Sequence, residues 1–121
     1  MRNMGQTNLL NSEVIGSLTP SNEVTSVSSG IWRKSNVISV AISFKPVKEL
    51  PAGSYDSINV GVLPSEYAPK ADIMVIFEAQ ASNLIFNGYL SHTGKLDLWC
   101  WGGVAITQAM NMRSSFTYVM K

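Results

Sequence analysis

The chain has 121 residues, with 20 Val and Ile, nine Leu, and 40 Ser, Thr, Asn and Gly against only 11 Glu and Lys, a composition that excludes a helix-rich or disordered protein and favours a compact all-β domain. Nine basic residues against eight acidic ones give a net charge of +1, so no strong field attracts nucleic acid or an anionic membrane. One Cys and one His exclude a disulfide framework and a structural zinc site within one chain.

The first 30 residues differ in texture from the rest. They contain no aromatic residue and are rich in Asn, Ser, Thr and Gly. Their apolar residues have a weak helical spacing and are Leu9, Leu10, Val14, Ile15 and Leu18. We therefore expect residues 1–30 to form a short arm or helix that leads into a single domain, residues 31–121.

The domain is predicted to be built of short strands. In SNVISVAISF, residues 35–44, every second residue from Ile38 to Phe44 is large and apolar, which is typical of a half-buried strand. Further strands are expected at 55–62, 73–79, 84–90, 95–101, 104–109 and 116–120. The strand at 73–79 is apolar on both faces and is expected to be covered on both sides. Seven or eight such strands, separated by turn residues, favour an antiparallel β-sandwich of the jelly-roll type.

The densest chemical feature lies in the strand predicted near residue 100. Alternation places Asp97, Trp99 and Trp101 on one face and Cys100, as a small buried residue, on the other. Two neighbouring indoles beside a carboxylate suit a sugar, whose C–H face stacks on an indole while its hydroxyls bond to the carboxylate. The same face is also compatible with packing against protein, in the core or at a subunit interface.

Three further side chains are candidates for binding or packing. Tyr67 lies in a stiff loop between Pro64 and Pro69, where it serves either as a ligand contact or as a packed tyrosine corner. His92 is expected at a hairpin tip, where a lone imidazole is usually solvated. Trp32 opens the first strand of the domain and is expected in the core at one end of the sandwich, with exposure at a binding edge as the alternative.

Catalytic signatures are missing from the sequence. It contains no Gly-x-Ser-x-Gly, no phosphate-binding loop and no metal-ligand spacing. Carboxylate pairs such as Glu66 and Asp72 carry little weight, because eight scattered acidic residues always provide some pair. We expect neither an enzyme nor a bound cofactor or metal.

The order of landmarks resembles the C-terminal head domains of bacteriophage tail-fibre and baseplate receptor-binding proteins. The landmarks are Trp32, the alternating strand at 35–44, Pro51-Ala52-Gly53, Gly61-Val62-Leu63-Pro64, Tyr67-Ala68-Pro69, Thr93-Gly94-Lys95-Leu96 and Phe116-Thr117-Tyr118-Val119. They cover about residues 30–121. The resemblance implies a β-sandwich head that trimerises, binds host cell-surface saccharide and sits with other tail proteins at the tail tip or baseplate of a virion, after synthesis in the host cytoplasm.

The resemblance supplies no fixed set of binding residues, so the ligand site is predicted from the residues alone. We expect it first at Asp97, Trp99 and Trp101, then at Tyr67 and His92. Two alternatives stay open at this point. One is a trimerising tail or baseplate protein with no receptor of its own, and the other is a bacterial lectin-like or collagen-cap module.

Overall fold

The computed structural model describes residues 13–80 and 82–120, which form one antiparallel sheet of nine strands. In chain order the strands are β1 (Glu13–Gly16), β2 (Thr19–Pro20), β3 (Val24–Lys34), β4 (Val37–Pro46), β5 (Asp56–Val62), β6 (Ile73–Ala79), β7 (Leu84–Leu90), β8 (Lys95–Cys100) and β9 (Met112–Val119). A single 3₁₀ turn, Ser65–Tyr67, lies between β5 and β6. Across the sheet the order is β1-β3-β4-β9-β6-β7-β8-β5-β2.

Within the part of the chain that the structure describes, no helix is long and apolar enough to cross a membrane.

The sheet curls until its two ends approach each other. The Leu18 N–H, just before β2 at one edge, donates to Ser29 Oγ on β3 near the other edge, at 3.0 Å. The core fills the inside of the curl. Alternation puts it there: on β4, Ile38, Val40, Ile42 and Phe44 are at most 4% exposed, whereas the residues between them are half-buried on the outer face.

The turn between β7 and β8 shows how short polar residues set the strand register. Ser91 Oγ accepts the N–H groups of Thr93 at 3.2 Å and Lys95 at 3.1 Å. Gly94, with φ of +94°, adopts a conformation that suits glycine. The turn fixes which residues of β7 and β8 lie opposite each other, with Leu90 against Leu96 and Tyr89 against Asp97.

The prediction of an all-β chain is confirmed, and its finer architecture is corrected. Instead of a sandwich of two separate sheets with seven or eight strands, one nine-stranded sheet curls over itself, because its hydrogen-bonded ladders continue from β4 through β9 to β6. Residues 104–109 supply only an isolated bridge, Leu50 to Ile106, rather than a strand. On β6, Met74 and Ile76, which alternate with the buried Val75 and Phe77, are exposed, so its outer face is not covered within one chain.

The predicted N-terminal arm or helix is also corrected where the structure describes it. Residues 13–30 contain no helix and contribute β1, β2 and more than half of β3. The predicted boundary after Gly30 falls inside β3, which pairs with β4 along most of its length. The weak helical spacing of these residues does not produce a helix, because their β-branched and hydroxyl side chains favour strand pairing. Residues 1–12 lie outside the described residues.

Candidate functional site

A cluster of three aromatic side chains lies on the outer face of β7 and β8. The ring centroids of Trp99 and Trp101 are 5.5 Å apart, and Tyr89 lies 6.5 Å from Trp99 and 5.6 Å from Trp101. All three side chains are half-buried. Leu98 and Cys100, which alternate with the indoles, are fully buried, so the aromatic cluster faces away from the core of this chain. The sequence predicted the shared face of the indoles but not its direction.

A shallow depression of about 340 Å³ adjoins the aromatic cluster. Its lining consists of Ile85, Phe86, Asn87, Trp99, Trp101, Gly102 and Val104. A Cβ added to Gly102 would meet no atom within 4 Å, so the rim at this point is open. The depression therefore combines two indoles, one amide and aliphatic side chains, the mixture that stacks on a sugar ring and hydrogen-bonds its edge.

Asp97 stands beside the aromatic cluster and is held in place by two neighbours. Asn59 Nδ2 donates to Asp97 Oδ1 at 3.0 Å, and Lys95 Nζ lies 3.7 Å from Asp97 Oδ2. The Asp97 side chain is only 18% exposed. The carboxylate thus has a fixed orientation at the edge of the cluster, with an acceptor oxygen on the same face as the indoles.

Tyr67 serves a packing role in the contacts that the structure shows. Its ring is half-buried against the core, with the Arg33 guanidinium carbon 5.9 Å from the ring centroid. Its carbonyl oxygen accepts a hydrogen bond from Tyr118 Oη at 2.7 Å. Burial raises the pKa of Tyr118 to about 12. A hydrogen bond from a tyrosine hydroxyl to the backbone, as in a tyrosine corner, does hold the loop at Tyr67. The donor is Tyr118 and not Tyr67.

His92 lies at the turn between β7 and β8, as predicted, and has an acidic neighbour that is distant in sequence. Asp72 Oδ1 lies 2.9 Å from His92 Nδ1 and accepts the His92 backbone N–H, also at 2.9 Å. These hydrogen bonds, that of the imidazole first, lower the pKa of Asp72 below its ordinary value of 3.8. Both side chains are exposed, at 59% and 60%.

The fold brings together three of the five predicted site residues. Asp97, Trp99 and Trp101 share the outer face of the sheet, whereas Tyr67 contacts Arg33 and Tyr118, and His92 contacts Asp72. Tyr89, the third ring of the cluster, was not among the predicted site residues. The sequence did contain a signal for it, because the four-residue turn at 91–94 places Tyr89 opposite Asp97.

Among the described residues, no group of three His, Cys, Asp or Glu side chains is placed to hold a metal ion. Cys100 is fully buried, and its Sγ lies 3.5 Å from the Pro51 carbonyl oxygen and 3.4 Å from that of Val104. The interpretation of Cys100 as a small buried residue is confirmed.

Comparison with known proteins gives matches in structure alone. No family model and no curated protein sequence matches the chain. The head domain of lactococcal phage bIL170, a receptor-binding domain, is similar, with a TM-score of 0.68 and 14% identity over 88% of this chain and 96% of that one. The receptor-binding protein gp15 of Listeria phage PSA has a TM-score of 0.57 and 19% identity over 97% of this chain and 71% of that one. The predicted resemblance is confirmed at the level of structure: the chain has the fold of phage receptor-binding head domains.

Proposed function

We propose that the protein is the receptor-binding head of a phage tail and attaches, as a homotrimer, to saccharide on the host cell surface. The observation that carries the proposal is the aromatic cluster of Tyr89, Trp99 and Trp101, which points outward from a fold of the receptor-binding head type. The protein then acts at the tail tip or baseplate of the virion, beside other tail proteins, after synthesis in the host cytoplasm. It binds and does not catalyse.

The chemistry of the cluster supports a saccharide over other ligands. Half-exposed indoles present a flat apolar surface to the C–H face of a sugar, and Asp97 Oδ2 adds an acceptor for a hydroxyl. The ion pair between Lys95 and Asp97 balances the local charge. Such a shallow site exchanges water hydrogen bonds for protein ones and therefore binds weakly for each head.

The amount of apolar surface supports an oligomer. The structure leaves several large apolar side chains exposed, and those that do not line the depression beside the aromatic cluster include Val14, Val47, Tyr55, Val62 and Met74. Exposed apolar side chains of this kind favour an oligomer, in which partner subunits cover them. A trimer also strengthens attachment, because simultaneous engagement of several heads multiplies modest affinities by roughly 10² to 10⁴.

A cell-wall retention assay tests the proposal. Purified cell walls from a panel of Lactococcus and Listeria strains are incubated with the protein, whose mass is measured by sedimentation equilibrium. We expect a trimer that at least one wall retains, and at least tenfold weaker retention for Trp99→Ala and Trp101→Ala in folded protein. Asp97→Asn tests whether the ionised acceptor contributes. Glu66→Ala, at an exposed residue of the 3₁₀ turn that does not line the depression, is the control and should bind as wild type does.

The possible outcomes separate the alternatives. A trimer that no wall retains would support the structural tail protein without a receptor of its own. Retention that survives the loss of both indoles would assign them to packing. A monomer at micromolar concentration would remove the avidity argument, as would equal retention of monomeric and trimeric heads on whole cells. Tail genes beside the coding sequence, rather than genes of surface proteins, would exclude the bacterial lectin-like or collagen-cap module.

A further inference from the structure

A second, larger depression lies on the outer face of the sheet, across β3, β4, β9 and β6. Its volume is about 640 Å³, within the range of small-molecule sites. Small side chains form its floor, and they include Gly30, Ala41, Ser43 and Ser115. Trp32 stands at one side of it, and the ion pair of Glu78 with Arg113 stands at the other. We call this depression the Trp32 groove.

The strand register shows how the floor is built. Gly30 lies opposite Ala41, and Ala41 lies opposite Ser115, so three small residues cross three strands in one row. A Cβ on Gly30 would come within 2.5 Å of the Trp32 indole. The indole therefore lies over Gly30, the one residue of the row without a side chain. The small side chains of Ala41 and Ser115 leave the floor of the groove open beside the indole.

A second row connects the Trp32 groove with the aromatic cluster. Ser28, Ser43, Arg113, Glu78 and Ile85 lie opposite one another in that order, on β3, β4, β9, β6 and β7. Ile85 also lines the depression beside Trp99 and Trp101. From β3 to β8 there are five interstrand spacings, about 24 Å along the sheet. The two depressions thus belong to one track across the outer face.

The track carries the groups that hydrogen-bond and stack on sugars along its length. Arg113 Nε donates to Glu78 Oε1 at 3.0 Å, and Arg113 Nη2 also contacts this oxygen. A guanidinium has five N–H donors and a carboxylate two oxygens, so the pair offers donors and acceptors to neighbouring hydroxyls. Hydroxyls of Ser28, Ser43 and Ser115 lie on the same side. An indole stands at each end.

From this continuity, and resting on the proposed function, we infer that the track binds an extended, uncharged glycan chain rather than a single terminal sugar. One pyranose ring spans about one interstrand spacing, so the track accommodates about five sugar units between Trp32 and Trp101. The charged residues that line the Trp32 groove in the described structure, Glu78 and Arg113, are already paired. A polyanionic polymer would find no excess of positive charge there.

Glycan fragments of graded length test the inference. Fragments from disaccharide to octasaccharide are prepared by partial acid hydrolysis of a wall glycan that retains the wild-type protein, and affinity is measured by calorimetry. We expect fragments of five or more units to bind at least tenfold more tightly than the disaccharide, with little dependence on salt. Trp32→Ala and Ser115→Tyr, which fills the floor, should abolish this gain and leave disaccharide affinity unchanged.

Val119→Tyr is the matched control for Ser115→Tyr, since residue 119 is exposed on the same face of β9 but does not line the Trp32 groove. It should keep the gain with length. Affinity that is independent of length, or a gain that survives both groove variants, overturns the track while leaving the proposed function intact. Strong weakening by salt overturns an uncharged ligand. If no wall glycan retains the protein, the proposed function fails first and the track falls with it.

Discussion

The six-membered ring of Trp32 folds back over Gly30, two residues earlier on the same strand, so closely that a Cβ at residue 30 would lie 2.5 Å from the ring. The sequence predicted Trp32 in the core, and this is wrong. The indole is half-buried on the outer face, opposite Ser39, because Ile31 takes the inward position on β3 and is fully buried. Because side chains alternate along a strand, the residues on either side of Ile31, Gly30 and Trp32, point to the outer face.

Gly30→Ala should displace the Trp32 ring without unfolding the protein. The atoms that a Cβ would strike are the far end of a half-exposed side chain, which can swing away, so we expect a loss of about 1 kcal/mol in the free energy of unfolding. The displaced indole becomes more exposed, and its fluorescence emission should shift to longer wavelength. The measurement uses a background of Trp99→Phe and Trp101→Phe, so that Trp32 is the one remaining tryptophan. Unchanged emission would contradict this arrangement.

Gly88→Ala should be far more damaging than Gly30→Ala. A Cβ on Gly88 would lie 2.3 Å from Phe77 Cε2 and 2.6 Å from the Asp97 carbonyl oxygen, and Phe77 is fully buried. Neither a packed ring nor a ladder carbonyl can move aside cheaply, so we expect a loss of about 3 kcal/mol or more. Chemical denaturation measures it. Gly102→Ala, where a Cβ meets nothing within 4 Å, is the control and should stay within about 0.5 kcal/mol of wild type.

Local patterns predicted the strands well. Alternation and turn residues gave β6 and β7 at 73–79 and 84–90, the same bounds as in the structure. They also placed Asp97, Trp99 and Trp101 on one face, but left open whether that face points outward, into the core or toward another subunit. These features depend on residues close in the chain. Trp32 was misplaced because the sequence does not mark the turn after Lys34 strongly, and β3 was therefore not separated from β4.

The remaining differences arise from contacts between distant residues. Asp72 reaches His92 across 20 positions, and Arg113 reaches Glu78 across 35. Neither pair has a local signal in a single sequence. The pairing of β6 with β9 also joins residues that are distant in the sequence. It connects the two expected sheets of a sandwich into one curled sheet. The Trp32 groove depends on this pairing, so the sequence showed its residues but not their proximity.

The contact of Asp72 with His92 predicts a small dependence of stability on acid pH. Hydrogen bonds from the imidazole and the backbone N–H lower the pKa of Asp72 below 3.8, so the ionised carboxylate favours the folded state. This contribution is fully present above pH 3.8 and is lost as the pH falls through the lower folded pKa. In a carboxyl titration followed by NMR, His92→Ala should raise the pKa of Asp72 toward 3.8. A pKa that does not move would show that the imidazole does not hold the carboxylate in solution.

Tyr118→Phe should weaken the protein at neutral pH and remove part of its sensitivity to alkali. The variant loses the 2.7 Å bond to the Tyr67 carbonyl and leaves that acceptor without its donor, at a cost of about 1 to 2 kcal/mol. In the wild type, burial raises the pKa of Tyr118 to about 12, against about 10 in an unfolded chain. The neutral phenol therefore favours the folded state, and its contribution is fully present below about pH 10 and lost as the pH rises through 12.

Denaturation curves recorded between pH 8 and pH 12 measure both effects. The wild-type protein should lose stability with rising pH more steeply than the variant above pH 10, by at most about 1.4 kcal/mol for each pH unit. Since the other tyrosines are the same in both proteins, the difference between the two curves isolates Tyr118. Ultraviolet titration of the folded wild type should show one phenol that ionises near 12 and is missing from the variant. Parallel curves with no such phenol would mean that Tyr118 is exposed in solution and does not hold the loop at Tyr67.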